Sequence, residues 1–293
     1  MEPNNYTAIH VHSDLSLLDS CTSFEQYVDR AVELGQKAIA STEHGHPTQW
    51  VKKKMYCDSK GIKFLFGVEC YLTRELLQLD QKTGERRKVR DNYHTILIAR
   101  DYQGLQEINQ AITVSTDEEH TYYVNRMTFA EFLNLSPHVI TTSACLASPL
   151  NKLDITDPWY DKLIRRYDFL EIQPHNIPEQ IAFNRHLACL AEEYHKPLIA
   201  ATDAHSLNAY LAECRDLFMD AKNQHYAGED EMDLAYKSYN ELVEAFRRQD
   251  AIPEALWMAA IENTNVLADL VKDFKLDISL KYPIIFYYEH DWR

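Results

Sequence analysis

Two short elements, His10-Val11-His12 and Asp203-Ala204-His205, stand almost two hundred residues apart, and each closes an apolar, strand-like run. In a strand, residues i and i+2 point to the same face. Each pair therefore sets two ligand-type side chains side by side at a strand end. Burying them there without a partner is costly, and a metal ion removes that cost. A fold that uses both pairs at one centre must carry the start of the chain back against Asp203. Between the pairs lie Asp19, His44, Glu69, His94 and Cys145, each close to an apolar run. The joint reading is a metal cluster holding several ions.

Taken singly, these intermediate residues are ambiguous. Asp19 reads equally as a loop or cap residue, His44 as a helix cap, and Cys145 as a small buried side chain. Glu69 lies in a mostly apolar stretch, where a carboxylate needs a cation or hydrogen bonds. Their company lifts all four. Glu43 and His46 fit either a supporting role behind the ligands or a plain turn. Glu171 and His175 come near the end of a later strand, and His175 is a candidate substrate-side group. The donor set is nitrogen and oxygen with one sulfur, which suits Mn²⁺, Fe²⁺ or Zn²⁺ better than Ca²⁺ or Mg²⁺. Closely spaced divalent ions of this kind support hydrolysis of a phosphate ester by an in-line water.

Strand-like segments at residues 8–12, 37–42, 63–72, 93–99, 138–143, 169–173 and 197–202 alternate with helical patterns at about 23–35, 48–59, 101–115 and 178–194. Short, unbroken apolar strands alternating with helices predict a parallel sheet buried on both faces. Seven such units favour a distorted TIM-like (β/α)7 barrel, with its site at the C-terminal ends of the strands. Most candidate ligands fall there. His94 does not, because it starts its apolar run. Residues 73–92 read as a charged surface loop or hairpin, with a basic stretch from Arg86 to Arg90. Two more helices are expected at 239–248 and 253–271, packed outside the barrel or extending it. The expected organisation is one domain over 1–285, with a barrel core at about 7–225, C-terminal helices at about 235–272 and a tail at 286–293.

The chain has 293 residues, 45% of them hydrophobic, which is enough for a sizeable core. No apolar run is long enough for a transmembrane helix, and the N-terminus has no signal-peptide pattern, so a cytoplasmic protein is expected. Six scattered cysteines read as free thiols or ligands, not a disulfide framework. The net charge of -15 argues against a long electrostatic footprint on nucleic acid, though bound divalent ions would dominate the local field. No P-loop or Rossmann fingerprint is present.

Several stretches resemble the PHP (polymerase and histidinol phosphatase) family, and specifically the PHP domain at the N-terminus of bacterial C-family replicative DNA polymerases. They are His10-Val-His-Ser-Asp-Leu-Ser-Leu-Leu-Asp19, Thr42-Glu-His-Gly45, Gly67-Val-Glu-Cys-Tyr71, Asn92-Tyr-His-Thr-Ile96, Thr142-Ser-Ala-Cys-Leu146, Phe169-Leu-Glu-Ile-Gln173 and Thr202-Asp-Ala-His205. The resemblance implies a distorted seven-stranded barrel with three divalent ions at its mouth. It implies His10, His12, Asp19, His44, Glu69, His94, Cys145, Asp203 and His205 as ligands, with Asp19, Glu69 and His205 holding the attacking hydroxide. Glu43 stands where the family usually has Asp. The implied activity is 3′–5′ exonuclease action on a DNA end. A small-molecule phosphatase remains the rival, and a non-catalytic module supporting a C-family polymerase is a third reading. No polymerase region is expected within these residues, so a free-standing protein, a piece of a split polymerase and a cut piece of a longer chain all stay open. Amidohydrolases also carry His-x-His, but Asp19, Glu69, Cys145 and the closing Asp-x-His fit them poorly.

Overall fold

The computed structural model describes residues 5–223, 231–280 and 282, so the expected tail at 286–293 lies outside the described residues. In chain order the elements are α1 (Phe24–Glu33), β1 (Ala38–Ser41), α2 (Trp50–Lys60), β2 (Lys63–Thr73), β3 (Leu77–Leu79), β4 (Arg86–Lys88) and β5 (Tyr93–Ala99). There follow α3 (Tyr102–Ser115), β6 (Arg126–Thr128), α4 (Phe129–Leu133), β7 (Val139–Thr142), α5 (Pro149–Lys152) and α6 (Tyr160–Arg166). The last are β8 (Leu170–Ile172), α7 (Pro178–Glu193), β9 (Leu198–Ala200), α8 (Ala209–Ala221), α9 (Tyr239–Gln249) and α10 (Glu254–Leu270).

Local sequence sets many of these bounds. Ser23 and Gln26 form a reciprocal capping box that starts α1. Gly61 ends α2 in the left-handed region at φ 72°. Asp101 caps α3 by accepting from the Gly104 N–H.

The fold is mixed α/β, and the sheet is not the all-parallel one expected. β1 runs parallel to β2, but β5 is antiparallel to β2, and β7 is antiparallel to β5. The physical reason lies in the connection: residues 74–92 hold the short β3–β4 hairpin and no crossover helix. Antiparallel neighbours need no such crossover, whereas parallel ones do. Among the described residues, the expected distorted seven-stranded barrel does not close either. Residues 8–12 form no regular strand, β8 pairs only with β9, and single bridges join Ala8 to Ile39, Val11 to Ala204 and Thr142 to Phe169.

Even so, the seven expected segments surround one apolar cluster. It takes Ile9, Ala40, Leu65, Ile98, Ile140, Phe169 and Ile199 from them, and Leu267 on α10 and Val271 just past its end close it. A larger cluster lies between these segments and the helices, with Tyr27, Phe66, Phe132, Leu187 and Trp257 among its members. The two opening pairs meet as the sequence demands: His12 N–H donates to the Ala204 carbonyl at 2.8 Å, and Ala204 N–H to the His10 carbonyl at 3.1 Å. No helix among the described residues is long and apolar enough to cross a membrane.

Candidate metal centre

The reversal of β5 settles the position of His94. Because β5 runs against β2, its first residues lie at the end of the sheet where β2 finishes, and His94 pairs in register with Tyr71. There it joins the other eight candidates. Glu69 sits at the middle: its Oε1 is 2.9 Å from His94 Nδ1 and 3.4 Å from His10 Nε2, and its Oε2 is 2.5 Å from His44 Nδ1. Cys145 Sγ lies 3.5 Å from His94 Nδ1. Asp203 Oδ1 is 3.1 Å from His10 Nε2 and 3.3 Å from His12 Nε2. Asp19 Oδ2 is 2.9 Å from His44 Nε2 and 3.3 Å from His205 Nε2.

Donor atoms fall into three trios, each within 4.8 Å: His12, His44 and His205; His10, His12 and Glu69; Glu69, His94 and Cys145. Asp19 and Asp203 border these trios at the distances above. The backbone is bent sharply to bring the groups in. Leu18, Ala144 and Asp203 adopt φ values of 70°, 56° and 50°, in the left-handed region that costs most non-glycine residues about 1–2 kcal/mol. Such strain concentrates at functional sites. Gly45, at φ 66°, follows His44, where an added Cβ would lie 3.2 Å from the Tyr71 ring.

A supporting layer fixes the donors. Glu171 Oε1 stands 2.7 Å from His10 Nδ1, while Gln173 and Thr142 donate to the same carboxylate at 2.9 and 2.7 Å. Ser16 Oγ lies 3.0 Å from His12 Nδ1 and donates to Glu43. Glu43 is buried, accepts from Ser13 and Ser16, and is paired with Lys53 at 2.5 Å. Of the two residues left open by the sequence, Glu43 therefore supports the centre, whereas His46 is exposed. Arg215 on α8 donates to Asp19 Oδ1 at 2.5 Å and to its carbonyl at 2.7 Å. Sequence reading missed Arg215 and Lys53; nothing in their local pattern separates them from surface cations.

Charge is concentrated here. Burial, then the imidazoles of His44 and His205, push His12 down to about 3. Burial also works against a charged His44, yet the Glu69 and Asp19 carboxylates outweigh it and hold that imidazole up at about 10. Burial would raise Glu69, but His94 and His44 keep it well below the usual carboxylate range. Burial and the nearby Asp203 and Glu69 charges raise the Cys145 thiol well above its ordinary value. A divalent cation would reverse that last shift, since a coordinating thiol is deprotonated outright.

The fit to cations rests on buried atoms that face one another without a hydrogen bond. The Nε2 atoms of His10, His12 and His205 and Oδ1 of Asp203 are buried and make no hydrogen bond among the described residues. Each such orphan costs about 1–3 kcal/mol. His175 is also buried, with neither ring nitrogen hydrogen-bonded, and burial lowers it to about 4. It makes no hydrogen bond to any of the nine. The basic stretch from Arg86 to Arg90 lies on and just beyond the β3–β4 hairpin, outside the cluster.

A family model described as "PHP domain" matches residues 8–175. Among curated relatives, "DNA polymerase III subunit alpha" of Aquifex aeolicus is 32% identical over 216 residues, covering 70% of this chain and 18% of that protein. The protein of the same name in Borreliella burgdorferi is 27% identical over 290 residues, covering 93% of this chain and 24% of that protein. The chain thus spans about a fifth to a quarter of the length of these relatives. Among solved structures, an Endonuclease Q complex with a 27-mer duplex carrying an abasic lesion aligns at a TM-score of 0.45 and 15% identity, over 69% of this chain and 49% of that one.

Proposed function

The chain belongs to the PHP-domain family, and on that premise we propose that it is a metal-dependent phosphoesterase with 3′–5′ exonuclease activity on DNA ends. The observation that carries the reading is the set of buried donor atoms on His10, His12, Asp203 and His205 that make no hydrogen bond, crowded with the donors of Asp19, His44, Glu69, His94 and Cys145. Bound cations would remove the cost of burying so many polar groups together. Three overlapping trios of donors, which share His12 and Glu69, support a centre of several ions, and one thiol among imidazoles and carboxylates supports Mn²⁺, Zn²⁺ or Fe²⁺.

Such ions, when bound, supply a nucleophilic water at neutral pH and neutralise charge on the phosphoryl oxygens. The chain's own residues do the rest. Asp19, Glu69 and His205 orient the attacking water. Arg215 holds the Asp19 carboxylate in place, while, against the effect of burial, His205 and His44 keep it ionised. Glu171 fixes the ring of His10, so that its Nε2 faces the cluster. His175, neutral at pH 7, offers an unspent ring nitrogen to the substrate. The choice of DNA leans on the replicative polymerase relatives, and the same likeness supports work beside, or as part of, a C-family DNA polymerase.

Purified protein loaded with Mn²⁺ is expected to shorten single-stranded DNA from its 3′ end, and His12→Ala to abolish this. Fully loaded protein that spares every DNA but cleaves phosphate monoesters is a small-molecule phosphatase. Inertness on both, with tight binding to a polymerase fragment, leaves only a structural module.

A further inference from the structure

Beside the donor cluster lies a second built surface. The chain leaves β2 at Thr73, four residues past Glu69, forms the β3–β4 hairpin, and re-enters the sheet at Tyr93, one residue before His94. The hairpin therefore springs from the end of the sheet that carries the candidate ligands. The turn before β6 is fastened to it. Buried Arg126 donates from Nη1 to the carbonyls of Val89 at 2.6 Å and Asp91 at 3.1 Å, and Lys88 donates to the Thr121 carbonyl at 2.8 Å. Arg126 itself pairs in register with Tyr71, which pairs on its other side with His94.

Hairpin and turn enclose an open groove of about 390 Å³, lined by Gln78, Asp80, Arg87, Lys88, Arg90 and Tyr122. Three cations face one carboxylate there, on a chain whose net charge is -15. Arg87 is paired with Asp80 at 3.0 Å and with Glu85 at 3.6 Å, but these side chains reach solvent, and such pairs exchange readily. Arg90 has no ion pair among the described residues. Tyr122 carries the guanidinium of Arg126 over its ring, and Tyr123 stands against Tyr122 with centroids 4.7 Å apart. Tyr123 is 92% exposed and held at φ 62°. An aromatic displayed to solvent next to a cationic groove is the pairing that single strands use: cations along the backbone, a ring face for a base.

We propose that this groove binds single-stranded nucleic acid, with Arg87, Lys88 and Arg90 against phosphates and Tyr123 stacked on a base. That the strand is then delivered to the donor cluster rests on the phosphoesterase reading; the binding does not. An acidic peptide would use the same cations but leave Tyr123 idle.

The test is fluorescence anisotropy of a labelled oligothymidylate on the whole chain with divalent ions chelated, so that hydrolysis plays no part. Arg87→Glu combined with Arg90→Glu is expected to weaken binding at least tenfold. It is also expected to flatten the log–log salt dependence by about 1.4, at roughly 0.7 for each phosphate no longer neutralised. Tyr123→Gly, which suits the left-handed backbone, is expected to weaken binding roughly tenfold without changing that slope. Binding unchanged in either variant overturns the proposal. Arg87→Gln with Arg90→Gln gives the same reading should charge reversal disturb folding. Tight, variant-sensitive binding without cleavage sinks only the hydrolase reading, and cleavage with an unaltered KM in the variants sinks only the groove.

Discussion

Glu171 shows how much of this centre is decided by residues that touch no substrate. Its carboxylate faces His10 Nδ1 and is itself fixed by Gln173 and Thr142. Replacing Glu171 by Gln keeps the shape but weakens the acceptor. Metal affinity is expected to fall by about 10- to 100-fold, read by competition with a chelating dye. Unchanged affinity would mean that the ring of His10 is set by packing alone. Protonation gives a second expectation. Without cations, His44 is held up at about 10 and the Cys145 thiol is raised well above its ordinary value, so both carry protons at pH 7. Ligation needs a neutral imidazole and a thiolate. Loading must therefore release protons, and affinity must rise with pH and fall on acidification. Calorimetric titration of Mn²⁺ in two buffers of different ionisation enthalpy checks this: equal apparent heats would contradict it. At this scale the sequence named nine residues whose side chains the fold brings together, although several were ambiguous taken singly. Arg215 and Lys53 were invisible, since a buried cation is defined by a partner distant in sequence.

Elements were legible in kind and less so in direction. Apolar runs located β1, β2, β5 and β7 closely, and helix bounds for α1, α3, α7 and α10 fell within a residue or two of those expected. Periodicity reports burial, however, and says nothing about which way a strand runs. The polar character of residues 74–92 was the available clue, because it offers no crossover helix. Short elements such as α4, α5, α6 and β6 escaped notice, and so did α8, whose buried face includes only Arg215 and Met219. Close packing of α3 on the sheet can be tested. An added Cβ at Gly104 would sit 2.0 Å from the His138 carbonyl oxygen, which cannot move without shifting the entry to β7. Gly104→Ala is expected to cost about 1–3 kcal/mol or more and to lower the melting temperature by several degrees. An unaltered melting curve would show that α3 can slide.

Over the whole molecule, the first and last described segments depend on each other. Thr7 N–H donates to Thr264 Oγ1 at 2.9 Å, Asn265 donates to the Asn5 carbonyl at 2.8 Å, and Lys63 donates to the carbonyls of Ala268 and Val271 at 2.8 and 2.6 Å. Leu267 and Val271 also close the inner apolar cluster from the side of α10. None of the nine donors lies on α10. Ending the chain before Glu254 is nonetheless expected to abolish metal loading, measured as metal atoms per chain by elemental analysis, because the segment bearing His10 and His12 loses its support. Full loading in the shortened chain would separate the two. The strand-and-helix alternation foretold a mixed core of this size, but not that single bridges would replace ladders at three places around it.

Departure from β2 and return at β5 occur on adjacent strands, so whatever is inserted there has its ends already held together. An excursion so anchored could change at its tip, near Gly84, while the carbonyls of Val89 and Asp91 go on holding Arg126 beside Tyr71. If the groove binds a strand as proposed, a changed hairpin tip would alter which polymer is held while Glu69 and His94 kept their places.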